Sequence, residues 1–169
     1  MGALLARFAR RIEAGLGLTM KIPFTYGLLI TVCVIVWVLV SRTVVANPTS
    51  LVYTLGAPVF FNLVHFVMIY LGLKAKERER RDRLPFKEGL KTGVLISFFY
   101  ALTASLFFVV VLAVVGTRWM ASEPGFAEMP ATQVAAQAFA FLFIGAMILG
   151  LIYSTLISFF LAKRQSDDA

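Results

Sequence analysis

One cysteine, one histidine and nine carboxylates are all that this 169-residue chain offers of the side chains that most often carry chemistry. The lone Cys33 can form neither an internal disulfide nor a thiolate metal cluster, and it falls inside an apolar run as a small packing residue. His65 cannot build a metal site by itself, and no Ser-His-Asp or Cys-His arrangement accompanies it. The carboxylates are Glu13, Glu77, Glu79, Asp82, Glu88, Glu123, Glu128, Asp167 and Asp168, and every one lies in a flank or loop. Paired-carboxylate catalysis, a carboxylate proton relay and a carboxylate ion site within the apolar stretches are therefore not expected. Glycine-rich phosphate loops, lipidation signals and haem-attachment motifs are missing too. The expectation is a protein that is not an enzyme and has no cofactor.

What the chain has in excess is apolar surface. Hydrophobic residues make up 60% of it and mean hydropathy is +0.86, against roughly 45–50% apolar content in soluble domains. A soluble fold this small could not bury so much. Lipid removes the difficulty. Four stretches, at about 22–40, 48–73, 92–117 and 131–162, are long enough to cross a hydrocarbon core about 30 Å thick. Runs of this length without turn residues read as helices rather than barrel strands. Asn47-Pro48 resembles a helix start, Leu84-Pro85 and Met129-Pro130 interrupt the pattern before spans three and four, and Pro58 predicts a kink within span two. Basic residues ahead of span one, with Val44-Val45-Ala46 after it, also suit a secretory signal, but the run is too long for one and further spans follow.

The basic residues give the bundle a direction. Arg7, Arg10, Arg11 and Lys21 precede span one; Lys74, Lys76, Arg78, Arg80, Arg81, Arg83, Lys87 and Lys91 lie between spans two and three; Lys163 and Arg164 follow span four. Only Arg42 and Arg118 fall on the other side. Fourteen bases against two place both termini and the middle loop in the cytoplasm. The expected architecture is an all-α membrane protein: a four-transmembrane-helix bundle, N-in and C-in. Residues 1–20 form an amphipathic leader, 21–164 the transmembrane domain and 165–169 a polar tail.

The leader carries Leu4, Leu5, Phe8, Ile12, Leu16 and Leu18 on one helical side and Arg7, Arg10, Arg11 and Glu13 on the other. That pattern predicts an N-terminal interfacial amphipathic helix. In the run at 74–83, Glu77 and Glu79 stand four residues before Arg81 and Arg83, which predicts acid-first helical pairs and a continuation of span two to Leu84. Interleaved acids and the lack of aromatics argue against nucleic acid there. The predicted partners of Arg7, Arg10, Arg11, Lys74, Lys76, Arg78, Arg80, Arg81 and Arg83 are membrane lipids, through their anionic headgroups. The segment at 117–130, with Trp119 and Phe126, suits a short hairpin loop at the opposite interface.

Inside the spans two polar patterns stand out. Asn62 and His65 are three residues apart and share a helix face, either as interhelical hydrogen-bonding residues or as a spot that binds a ligand. Gly89, Gly93, Ser97, Ala101 and Ser105 recur every four residues in span three; Ala146, Gly150, Ser154 and Ser158 do so in span four. Such ladders let helix backbones approach closely, and they predict that spans three and four pack on each other or that one faces a partner chain. The aromatics Phe98, Phe99, Tyr100, Phe107, Phe108, Phe139, Phe141 and Phe143 read as packing or lipid-facing residues.

KIPFTYGLLITV at the start of span one, LGLKAKERERRDRLPFKEGLKTGVLIS across the middle loop and LIYSTLISFFLAKRQ at the end carry a resemblance to one bacterial family, domain-of-unknown-function family 4199. Its members resemble this chain in four spans and a basic loop leading into a turn like Phe86, Lys87, Glu88, Gly89, Lys91 and Gly93. The likeness covers roughly residues 20–164, leaves out the leader, and implies a bacterial inner membrane without implying an activity. Three functions follow from the sequence. The leading one is a structural or accessory subunit packing against other membrane subunits or in a homo-oligomer. The second is a small transporter, or a lipid- or quinone-binding protein, using the Asn62/His65 face. The third is an interfacial enzyme using Glu88, Lys87 and Lys91, whose simpler reading is as loop charges.

Overall fold

A computed structural model describes residues 2–44, 51–80, 84–115 and 129–167, with side chains over 20–41, 55–80, 84–114 and 129–163. The described residues are helical apart from short connecting pieces, with no strand among them. The helices are α1 (Gly2–Val44), α2 (Leu51–Arg80), α3 (Phe86–Val115) and α4 (Ala131–Asp167).

Each helix contains a stretch long and apolar enough to span a membrane: Met20–Ser41, Leu55–Arg80, Phe86–Val114 and Ala131–Lys163. At 1.5 Å per residue the first is about 33 Å long, matched to the hydrocarbon core. The leader is part of α1 rather than a separate helix, since α1 runs unbroken through 43 residues. The side chains of Arg7, Arg10 and Arg11 lie outside the described residues, as do Asn47, Pro48, Arg81, Arg83, Trp119 and Phe126. Pro58 sits within α2, whose helical assignment continues through it.

The two prolines ahead of α3 and α4 serve as helix starts. The carbonyl of Pro85 accepts from the Glu88 and Gly89 amides, both at 3.0 Å, and that of Pro130 from Gln133 and Val134 at 2.9 and 3.1 Å. Proline is suited to this place because an amide hydrogen there would have no helical partner.

Cross-helix contacts set the direction of each span. Gly56 and Phe60 of α2 lie against Trp37 of α1, while Gly72 lies against Tyr26, so these helices are antiparallel. Phe24 meets Phe99 and Thr31 meets Thr103, so α1 and α3 run parallel. His65 meets Ser97 while Arg80 meets Glu88, which makes α2 and α3 antiparallel. The spans thus alternate. Met20, Arg80, Phe86 and Lys163 stand at one end, the basic end. Both α2 and α3 pack against all three other helices, α3 most extensively against α4, while α1 and α4 occupy opposite corners.

The interior and exterior are arranged for lipid. Ile30, Val34, Ile69, Leu73 and Ile96 form the core, and Thr31, Ser41, His65, Thr92, Ser97, Ser105, Ser154 and Ser158 are buried with them. Leu39, Val59, Leu63, Val114, Phe141 and Phe160 instead face outward, Val114 at 80% exposure. In water such a surface would drive association. In a bilayer it is neutral, and the inward polar groups gain partners they would lack in hydrocarbon.

Candidate functional site

The interface between α3 and α4 is built from glycine facing serine. Gly89 lies against Ser158, Gly93 against Ser154 and Ser97 against Gly150, each step moving four residues in opposite directions along two antiparallel helices. A Cβ on Gly89 would stand 2.7 Å from Ser158 Oγ; one on Gly93 or Gly150 would run into the Cβ and Oγ of the facing serine. At Gly93 and Gly150 no Cβ fits without parting the helices, whereas at Gly89 rotation of the Ser158 hydroxyl would relieve the closest contact. The same step carries Ala101, 1% exposed, toward Ala146. Ser105 and Ser158 are buried with hydroxyls that have no hydrogen-bond partner among the described residues, so they contribute small volume rather than a bond.

The Asn62/His65 face of α2 closes on this seam. His65 Nε2 lies 3.0 Å from Ser97 Oγ, and Ser97 Oγ donates to the Gly93 carbonyl at 3.1 Å. A hydroxyl has one hydrogen, so both contacts are satisfied when His65 carries its proton on Nε2 and donates to Ser97. Asn62 Nδ2 donates to the Pro58 carbonyl at 2.7 Å, and its Oδ1 accepts from the Tyr153 hydroxyl at 2.7 Å. The imidazole is flanked by the rings of Tyr100 and Tyr153, with centroids at 4.9 and 5.6 Å. His65 is buried, at 2% exposure.

Of two further participants in this cluster, Tyr100 read in the sequence only as aromatic bulk and Tyr153 was not singled out. The available signal was the place of Tyr153 beside Ser154 of the ladder. A second polar crossing also went unread. Thr31 and Thr103 hydroxyls meet at 2.5 Å between α1 and α3, with Thr31 also donating to Gly27 O at 3.2 Å and Thr103 to Phe99 O at 2.7 Å. These pairs are alternatives for each hydroxyl hydrogen. A Cβ on Gly27 would meet the Phe99 Cβ at 2.7 Å and the Ile96 carbonyl at 2.8 Å, so this crossing too is close. The four-residue spacing of Gly27 and Thr31 was its visible sign.

At the basic end the described charges form three ion pairs. Glu77 accepts from Lys74 at 2.8 Å and Glu79 from Lys76 at 2.6 Å, each three residues earlier, and Arg80 pairs with Glu88 across the α2–α3 corner. The anticipated partners Arg81 and Arg83 lie outside the described residues. Arg78 is exposed, as is Lys87. Among the described residues no three His, Cys, Asp or Glu side chains converge as a metal site.

Chemically, the seam joins an imidazole, an amide and the hydroxyls of serine and tyrosine. Such groups can hold helices in register. Comparison with protein-family models, curated proteins and solved structures finds no match to this chain.

Proposed function

We propose that this chain is a non-enzymatic accessory or structural subunit that packs against partner helices of a membrane assembly or of its own copies. The observation that supports this most directly is the internal pairing of Asn62 with Tyr153 and of His65 with Ser97. The polar groups of the membrane interior thereby join the helices to one another. The uneven base count supports a cytoplasmic placement of both termini, and the resemblance to domain-of-unknown-function family 4199 supports a bacterial inner membrane. The outward apolar side chains of α4 offer a surface for a further helix.

Extraction of the native membrane in a mild detergent, followed by size analysis and identification of all co-purifying proteins, tests the subunit role. A discrete complex or homo-oligomer is the expected result. A stable solitary monomer, obtained under conditions that preserve other assemblies, would overturn it.

A further inference from the structure

The α2–α3 corner contains a cleft of about 240 Å³ lined by Lys76, Arg80, Glu88, Lys91, Thr92 and Leu95. Three cations face one carboxylate. Arg80 is paired with Glu88, and Lys76 reaches away to Glu79, whereas Lys91 has no ion-pair partner among the described residues. The cleft therefore has an excess of positive charge and one ammonium free to take an anion.

Its depth selects the kind of anion. Lys91 directly precedes the long apolar run at 92–117, and Lys76 lies three residues beyond the buried Leu73. The charged rim thus stands where hydrocarbon gives way to water. Leu95 closes the cleft on the apolar side, and the exposed Phe98 stands about one turn deeper on α3. Cations at the rim and apolar side chains below match a phosphate that carries acyl chains.

We propose that this cleft binds the phosphate of an anionic phospholipid, with Lys91 as the principal ligand and Lys76 and Arg80 beside it. Glu88 holds Arg80 and so limits the charge available to the lipid. This deepens the headgroup reading of the basic end by giving it one defined site, and it is independent of the subunit role.

The test uses the purified full chain in detergent micelles, with native mass spectrometry following bound lipid. The probes are phosphatidylglycerol, phosphatidylcholine and inorganic phosphate. Phosphatidylglycerol should bind in preference to both others. Lys91→Gln should weaken it about fivefold, the effect of one cation at a membrane surface, while Lys91→Arg retains binding. Arg78→Gln removes an exposed cation outside the cleft and should change affinity less than twofold. Glu88→Gln should tighten binding. Equal losses in Lys91→Gln and Arg78→Gln would show diffuse attraction and overturn the site. Equal binding of phosphatidylcholine, or binding of inorganic phosphate as tight as that of phosphatidylglycerol, would overturn the lipid assignment. Lys91 is exposed, so its replacement leaves the packed seam intact; an unchanged elution volume checks this. A solitary monomer that binds phosphatidylglycerol would sink the subunit role and leave this site standing.

Discussion

Ser97 occupies the space that a side chain on Gly150 would need, and its hydroxyl lies 3.0 Å from His65. One serine therefore sets both how closely α4 approaches α3 and where α2 docks on the pair.

Gly150→Ala should destabilise the bundle by about 1–3 kcal/mol, the usual cost of overpacking a filled interior. The added methyl would meet the Cβ of Ser97, which cannot swing aside as a long side chain would. Gly145→Ala is the internal comparison, because nothing lies within 4 Å of a Cβ there. It should be neutral or stabilising by up to about 1 kcal/mol, through the better helix propensity of alanine. Unfolding titrations in mixed micelles measure both. Equal losses in the two variants would refute the close-packed seam.

Tyr153→Phe and Asn62→Leu should each weaken the bundle, with a coupling of about 0.6 kcal/mol and at most about 1.7, the range for hydrogen bonds between membrane helices. The double variant isolates the coupling because the two side chains meet directly at 2.7 Å. Purely additive losses would mean that the hydroxyl–amide bond contributes nothing to α2–α4 docking. A complementary distinction concerns function: Tyr153→Phe retains the ring against His65 and Phe66, so any assembly the protein forms should survive the loss of its hydroxyl.

The span positions were legible in the sequence because only lipid tolerates uncharged apolar runs this long. The helices carry apolar stretches of spanning length at Met20–Ser41, Leu55–Arg80, Phe86–Val114 and Ala131–Lys163; the second extends beyond the 48–73 read from hydropathy and the third begins before 92. The glycine–serine ladders were legible for a related reason, since a four-residue repeat of small side chains marks one helix face. The roles of Tyr100, Tyr153, Thr31 and Thr103 were not. A helix apolar on every side has no amphipathic contrast to say which way it is rotated. Whether Tyr153 faces His65 or lipid is decided by packing with α2, and its place beside Ser154 of the ladder is the one local sign of that choice. At the basic end, Glu77 and Glu79 accept from the lysines three residues before them, while the acid-first partners Arg81 and Arg83 lie outside the described residues.

Thr31→Val and Thr103→Val should show that one shared bond joins α1 to α3. Valine keeps the branched shape of threonine but has no hydroxyl. Each single replacement removes the 2.5 Å contact, while the remaining hydroxyl keeps a carbonyl on its own helix within reach. Each should cost about 0.6 kcal/mol, and the double variant should cost hardly more than either alone. If the losses add in full, the two hydroxyls act separately through their own helices. In that case the α1–α3 crossing would rest on the close approach at Gly27, which Gly27→Ala would test in the same unfolding assay.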